Sequence, residues 1–185
     1  MAIKIYFIRH GQTDFNLKEL VYTKEDVSLN ETGIRQVLEA RKDIEGINFD
    51  IVYCSPLLRT KQTMELVTEN KFPVIFDNRL VERTAGEYMG LHQSTINREK
   101  YWNYYDDTEY EEVQNVRDFV NIVSKFLDEL KENYTDETIL LVTHGGVFRA
   151  AEVYFNGIPE DGDMLRRGHK NCEVRKYILE SKKEN

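Results

Sequence analysis

The sequence predicts an α/β fold, a three-layer α/β/α sandwich around a mainly parallel central sheet, and three observations carry that prediction. Short apolar runs alternate with stretches of helical periodicity, the signature of strand–helix–strand units. The length of 185 residues, with 41% hydrophobic content, suits a single domain with a substantial core. Finally, short motifs rich in Arg, His and Gly directly follow several of the apolar runs, at the carboxyl ends of strands where open α/β sheets bind ligands.

The elements follow in order. Ile3–Ile8 reads as a buried strand that runs into Arg9, His10 and Gly11. Asn30 then precedes a helical pattern that places Ile34, Val37, Leu38 and Ile44 on one face and stops at Gly46. Ile51–Cys54 is a second apolar strand, followed by the stretch SPLLRT, in which Ser55 is placed as a helix N-cap and Pro56 at the first helical position. Pro73–Phe76 is a third strand. Val113, Val116, Phe119, Val120, Val123, Phe126, Leu127 and Leu130 recur at intervals of three and four, the single apolar stripe of a long helix. Thr138–Val142 is a strand leading into THGGVFRA, and Cys172–Leu179 closes the sheet. Arg83–Glu112 interrupts this rhythm. It is rich in tyrosine and charge, carries the single tryptophan, Trp102, and reads as a partly helical insertion over the sheet edge. Residues 1–185 are therefore expected to form one domain, with 83–112 as a cap-like insertion over the active-site edge.

Charge narrows the partners. Lys and Arg total 25 against 33 Asp and Glu, a net charge of −8. Such a surface repels nucleic acids and acidic membranes, and neither is expected as a partner. An anionic small molecule remains compatible if cations gather in one pocket. Cys54 and Cys172 have neither disulfide-framework nor metal-ligand spacing and read as buried reduced thiols. No stretch approaches the roughly 20 apolar residues of a membrane span, and Lys4 and Arg9 bracket a run too short for a signal peptide. The expectation is a cytoplasmic protein. Oligomeric state is not encoded in any pattern seen here.

Three motifs supply the chemistry: RHGQTDFN after the first strand, SPLLRT after the second and THGG after the fourth. Each has an ordinary structural explanation when taken alone. A strand-end His144 is often only hydrogen-bonded, Arg59 on a first helical turn could be a surface residue, and Gly145 and Gly146 could permit tight packing. Arg9, His10, Arg59 and His144 converging from three strand ends are harder to explain by packing. A phosphate dianion accounts for them together. Arginine forks bind phosphoryl oxygens, helix-start amides near Gly145 add partial positive charge, and a neutral imidazole can attack phosphorus. The sequence has no carboxylate cluster at metal-ligand spacing, and neither metal nor cofactor is expected. A leaving alkoxide needs an acid, which the stretch RLVERTAGEYMG offers as Glu82 or Glu87. Spacing does not choose between them.

RHGQTDFN, LNETGIRQ, SPLLRTKQT, the Glu82 segment and THGG together resemble the histidine phosphatase superfamily, in its phosphoglycerate mutase-like branch. The resemblance runs in order from Ile3 to about Leu179. It implies His10 as the nucleophile that becomes phosphorylated, Arg9, Arg59 and His144 as phosphoryl ligands, Asn16 as a further pocket amide, and Glu82 rather than Glu87 as general acid. Gly145 is expected at the substrate, and Asn171 resembles a family asparagine with no catalytic role assigned. Two departures bear on substrate identity. Tyr22 and Thr23 stand where many members have a small residue and a glycine, which predicts a narrower or differently lined pocket wall, and Met89 stands where a second glutamate is common.

The implied activity is metal-independent hydrolysis of a small phosphorylated metabolite through a phosphohistidine on His10. Two alternatives frame it. A phosphoglycerate mutase would share the pocket but return the phosphoryl group to a bound acceptor. A silent phospho-ligand-binding module would be expected to have lost at least one member of the set.

Overall fold

Each apolar run of the sequence forms a strand. A computed structural model describes residues 1–182, in which the chain runs β1 (Ala2–Arg9), α1 (Asp14–Leu17), α2 (Glu31–Asp43), β2 (Ile51–Cys54), α3 (Leu58–Thr68), β3 (Val74–Phe76), α4 (Arg98–Tyr101), α5 (Val116–Asn133), β4 (Thr138–Thr143), α6 (Gly145–Asn156) and β5 (Val174–Glu180). The strands form one sheet in the order β3-β2-β4-β1-β5. The pairs β2/β3, β2/β4 and β1/β4 are parallel, and β5 lies antiparallel on β1.

Helices cover both faces, as the three-layer prediction requires. Ile3, Ile5, Phe7, Ile139 and Leu141 meet the apolar stripes of α5 and α6 on one side. Ile8, Val52, Cys54, Leu140 and Val142 meet Val37 and Ala40 of α2 and Met64 and Val67 of α3 on the other. The α5 stripe is the strongest single contribution. Val116, Phe119, Val120, Val123, Phe126, Leu127 and Leu130 are all buried, each worth roughly 1.5–3 kcal/mol when removed from water. Both cysteines are buried and unpaired, as expected.

Several boundaries differ from the sequence reading, each for a physical reason. The buried face of α2 is Gly33, Val37 and Ala40, continued by Ile44, whereas Ile34 and Leu38 are 41% and 40% exposed. Gly33 lets that face sit close to the loop after β1, so the larger aliphatics turn outward. Ser55 does not cap α3. Its N–H extends the sheet by donating to Val142 O at 3.0 Å, and its hydroxyl is bonded to His144, so α3 begins at Leu58, beyond Pro56, with no side-chain cap at Leu57. Val113 lies outside α5 because the Asn115 side chain caps that helix by accepting from the N–H groups of Arg117 and Asp118. The last strand starts at Val174 rather than Cys172, which is held in a left-handed turn (φ 59°) with its N–H on Arg9 O.

The segment Arg83–Glu112 contains two single 3-10 turns, Gly86–Tyr88 and Gln93–Thr95, and the one-turn α4. It is fastened by Arg83, whose guanidinium lies 4.2 Å from the Tyr101 ring centre and 5.1 Å from that of Trp102. Arg83 donates Nε to Gln114 O and Nη1 to Tyr101 O.

The loop after β1 is clamped by the start of α2. Asn30 caps α2 through Gly33 N–H and donates its own N–H to Gln12 O, while Gln12 N–H donates to the Gln36 side chain. A Cβ on Gly33 would lie 2.1 Å from Gln12 O, and one on Gly11 would lie 2.7 Å from Gly33 O. In an exposed helix Gly→Ala stabilises by about 1 kcal/mol. Here Gly33→Ala is expected to destabilise by about 1–3 kcal/mol through overpacking against backbone. Urea unfolding reads this as a lowered midpoint, and an unchanged or raised one would show that the clamp yields freely.

Candidate active site

The register of three adjacent strands builds the site. Arg9 of β1 lies opposite Thr143 of β4, and Cys54 of β2 opposite Val142. The ladder continues one rung beyond: His10 N–H donates to Thr143 O at 3.0 Å and Ser55 N–H to Val142 O at 3.0 Å. His10, His144 and Ser55 therefore emerge side by side at the carboxyl edge of the sheet. The imidazole centroids of His10 and His144 are 5.2 Å apart, with the rings inclined at 61°.

His10 is held as one tautomer. Its Nδ1 lies 2.7 Å from Gly11 O, an acceptor only, so Nδ1 carries the proton and Nε2 the lone pair. Burial, Arg59 and Arg9 hold its pKa well below the ordinary histidine value. His144 is buried beside it, with Nε2 2.8 Å from Ser55 Oγ, and burial with Arg59 likewise keeps it neutral.

The arginines are fixed by carbonyls rather than carboxylates. Arg59 is 1% exposed despite its place in the first turn of α3, which removes the surface reading. It donates Nη2 to Thr23 O at 2.6 Å and Nη1 to Glu25 O at 3.1 Å, and lies 4.6 Å from the Tyr22 ring centre. Arg9 donates Nη1 to His169 O. The buried Nε atoms of both have no protein acceptor.

A cleft of about 280 Å³ opens over this edge, and Arg9, Asn16, Tyr22, Thr23, Glu82 and Gly145 all line it. His10, Arg59 and His144 are buried behind them. Asn16, which lines the cleft, is fixed through its Oδ1, which accepts from Thr13 N–H, Tyr22 OH and Asn171 Nδ2. Asn171 also donates to His10 O at 2.9 Å, so it ties the two loops together. Tyr22 is pinned by Thr13 and Asn16 and forms a wall of the cleft. Thr23 contributes its carbonyl, while its hydroxyl contacts Met89 Sδ at 3.4 Å.

Glu82 lies at the start of α6. Its Oε2 accepts from Gly146 N–H at 3.0 Å and its Oε1 from Arg83 N–H at 2.9 Å. A Cβ on residue 146 would lie 1.9 Å from Glu82 Oε1, so Gly146 is required by the carboxylate's approach rather than by helix packing alone. Glu87 is exposed, accepts from Glu111 N–H and is outside the cleft. Among the described residues, no group of three or more His, Cys, Asp or Glu is arranged to hold a metal ion.

Among the arginines that line the cleft, Arg149 escaped the sequence reading. Arg149 carried a usable signal, because four residues after Gly145 is one helical turn along the same face. His169 carried none, since it holds Arg9 through its backbone carbonyl.

A family model described as the histidine phosphatase superfamily (branch 1) matches residues 5–185. The chain is 28% identical over 154 residues to an uncharacterized phosphatase, PhoE, of Bacillus subtilis, covering 83% of this chain and 77% of that protein. It is 27% identical over 177 residues to the adenosylcobalamin/alpha-ribazole phosphatase of Escherichia coli, covering 92% of this chain and 87% of that one. The solved structure of a mycobacterial glucosyl-3-phosphoglycerate phosphatase superposes with a TM-score of 0.82 at 23% identity, covering 96% of this chain and 91% of that chain, which establishes a shared fold.

The buried imidazoles generate a pH prediction. The folded pKa values of His10 and His144 lie below that of an unfolded histidine, about 6.5. The unfolded chain then takes up protons first, so stability is full above pH 6.5 and falls as pH drops below it. In NMR titration of the ligand-free protein, both rings are expected to be neutral at pH 6.5. A midpoint at or above 6.5 for His10 would contradict the assigned electrostatics.

Proposed function

Because the chain belongs to the histidine phosphatase superfamily, we propose that it is a phosphatase for small phosphorylated metabolites that works, without a metal, through a phosphohistidine on His10. The observation that carries this reading is the state of His10: a neutral imidazole, fixed at Nδ1 by Gly11 O, beside the buried Arg59 and the partly buried Arg9, neither of them ion-paired to a carboxylate.

The geometry supports the following roles. A phosphomonoester dianion enters the cleft, and Arg9, Arg59 and His144 hold its non-bridging oxygens, with Asn16 and the amide of Gly145 as further donors. Nε2 of His10 forms a bond to phosphorus as the bond to the leaving oxygen breaks, and Glu82 gives that oxygen its proton. Water then attacks the phosphohistidine, Glu82 takes a proton from it, and the N–P bond breaks to release inorganic phosphate and restore His10. The cationic groups stay in place throughout and meet charge as it develops on the transferring group.

Residues 83–112 act as a cap over this edge, and their character favours hydrolysis over mutase chemistry. A mutase must grip the dephosphorylated product against the phosphoenzyme while excluding water. Of the three cations in residues 83–112, Arg83 has both donor arms taken by carbonyls, and Arg98, at the cleft rim, and Lys100, against the Tyr110 ring, are both exposed to solvent. The second half of the segment, YDDTEYEE, is acidic. Product escapes and water takes the phosphoryl group.

The test is phosphate release from an alkyl and an aryl phosphomonoester, glycerol 3-phosphate and p-nitrophenyl phosphate. Glu82→Gln should slow the alkyl ester by about 10²–10⁴-fold and the aryl ester much less, because a phenolate leaves with little protonation. Equal losses on both would remove Glu82 as leaving-group acid. Rapid interconversion of phosphoglycerates without phosphate release would replace the phosphatase with the mutase.

A further inference from the structure

Arg9 is held by the loop that precedes β5. His169 O accepts from Arg9 Nη1, Cys172 N–H donates to Arg9 O at 3.0 Å, and Arg9 N–H donates to Glu173 O at 3.4 Å. The direction of the Arg9 guanidinium therefore depends on where this loop sits. The loop has little to fix it from within. The His169 ring is buried, yet among the described residues neither of its nitrogens has a hydrogen-bond partner. Cys172 lies in the left-handed region, where a residue with a Cβ is uncommon.

The anchor lies outside the cleft, on α6. Glu152 is 7% exposed and is the one acid of a helix whose other buried residues are apolar or glycine. Its Oε1 accepts from Arg175 Nη1 at 2.5 Å and from Tyr177 OH, and its Oε2 accepts from Asn156 Nδ2 at 2.7 Å. Its main-chain carbonyl accepts from Arg167 Nη1 at 2.8 Å. Arg167 before the loop and Arg175 after it thus end on the same residue. Arg175 also donates to Glu173 Oε1 at 2.5 Å, and Glu173 Oε2 accepts from Lys170 N–H at 2.9 Å. One turn earlier on α6, Phe148 carries the His169 ring at 4.1 Å between centroids. Glu152 Oε1 is 3.8 Å from His169 Nε2, too far for a hydrogen bond.

Burial opposes the charge on Glu152, but hydrogen bonds from Tyr177, Arg175 and Asn156 hold its carboxyl below the ordinary glutamate value, so it is ionised at neutral pH. A buried ion pair is a weak source of stability, because apolar residues of similar volume often serve as well. What charge-assisted bonds supply is direction. Glu152, His169, Arg175 and Tyr177 are all absent from the cleft wall, whereas Arg9 lines it. Resting on the phosphatase reading for what Arg9 binds, we infer that Glu152 is a positioning residue: through the loop at 167–175 it aims the Arg9 guanidinium at the phosphoryl oxygens.

The test is a pair of double-mutant cycles. Glu152→Gln keeps the size of the side chain and removes its charge. It is made in the unmutated, Arg9→Met and Arg59→Met proteins, and each cycle is read as kcat/KM for p-nitrophenyl phosphate and as tungstate affinity by calorimetry. Both quantities should fall about tenfold or more in the unmutated and Arg59→Met backgrounds. In the Arg9→Met background the fall should shrink to within about threefold, because the group being aimed is gone. Arg175→Gln, at a position 39% exposed, loosens the same anchor from the loop side and should give the same pattern at smaller size, which keeps the test open if Glu152→Gln does not fold. A loss of equal size in all three backgrounds would make Glu152 a contributor to the fold alone, and no loss from either substitution would disconnect it from the site. Both results would overturn the inference. Phosphate release from p-nitrophenyl phosphate by the unmutated protein tests the phosphatase reading separately: without turnover that reading falls, and the tungstate cycle decides this one. An unmutated protein that does not bind tungstate would overturn both.

Discussion

Two arginines beside two imidazoles, Arg59 buried and Arg9 partly so, with no carboxylate ion-paired to either guanidinium, set the terms for the rest of this structure. Burying such charge in a folded protein is unfavourable unless it is matched. The chain matches it in part, with the carbonyls of His169, Thr23 and Glu25 and the face of Tyr22. It also keeps His10 and His144 neutral, so that positive charge is not compounded. The Nε atoms of both arginines stay unmatched, and in the proposed function a phosphoryl group supplies the missing charge.

The sheet makes this concentration possible. Three neighbouring parallel strands bring three loops to one edge at one height, and the hydrogen-bond ladder runs one residue past the strands to fix the relative position of His10, Ser55 and His144. Glycines then bring backbone where side chains would intervene. Gly33 admits Gln12 and so holds the His10 loop against α2, and Gly146 admits Glu82 to the start of α6. The same helix carries Arg149 one turn on, so one element lines the cleft with Gly145 and Arg149 and holds the Glu82 carboxylate through Gly146 N–H.

Much of this was legible in the sequence, and the exceptions share a cause. Strand positions followed from uniform apolar runs, and α5 from a stripe too long to mistake. The outward-facing Ile34 and Leu38 were misplaced because a hydrophobic pattern does not register Gly33, the small residue that marks a close approach, or the buried Ala40. Ser55 followed by Pro56 is a good local signal for a helix start, and the local signal lost to a ladder bond and a histidine 89 residues away. Glu82 and Glu87 were equivalent by spacing. Only the resemblance separated them, and the fold places Glu82 in the cleft and Glu87 on the surface. Arg149 was in plain view in VFRA and went unread because its meaning depends on Trp102, 47 positions earlier in a segment with no regular pattern.

The central claim is that a neutral, tautomerically fixed His10 carries the phosphoryl group. The most direct measurement is rapid quenching of the working enzyme in alkali, followed by proteolysis and mass spectrometry of the phosphorylated peptide. The account predicts a phosphate on His10, stable in alkali and lost in acid, that is absent from the His10→Ala protein together with nearly all turnover. Phosphate release that continues in the His10→Ala protein, or a phosphate carried by a different residue during turnover, would contradict it.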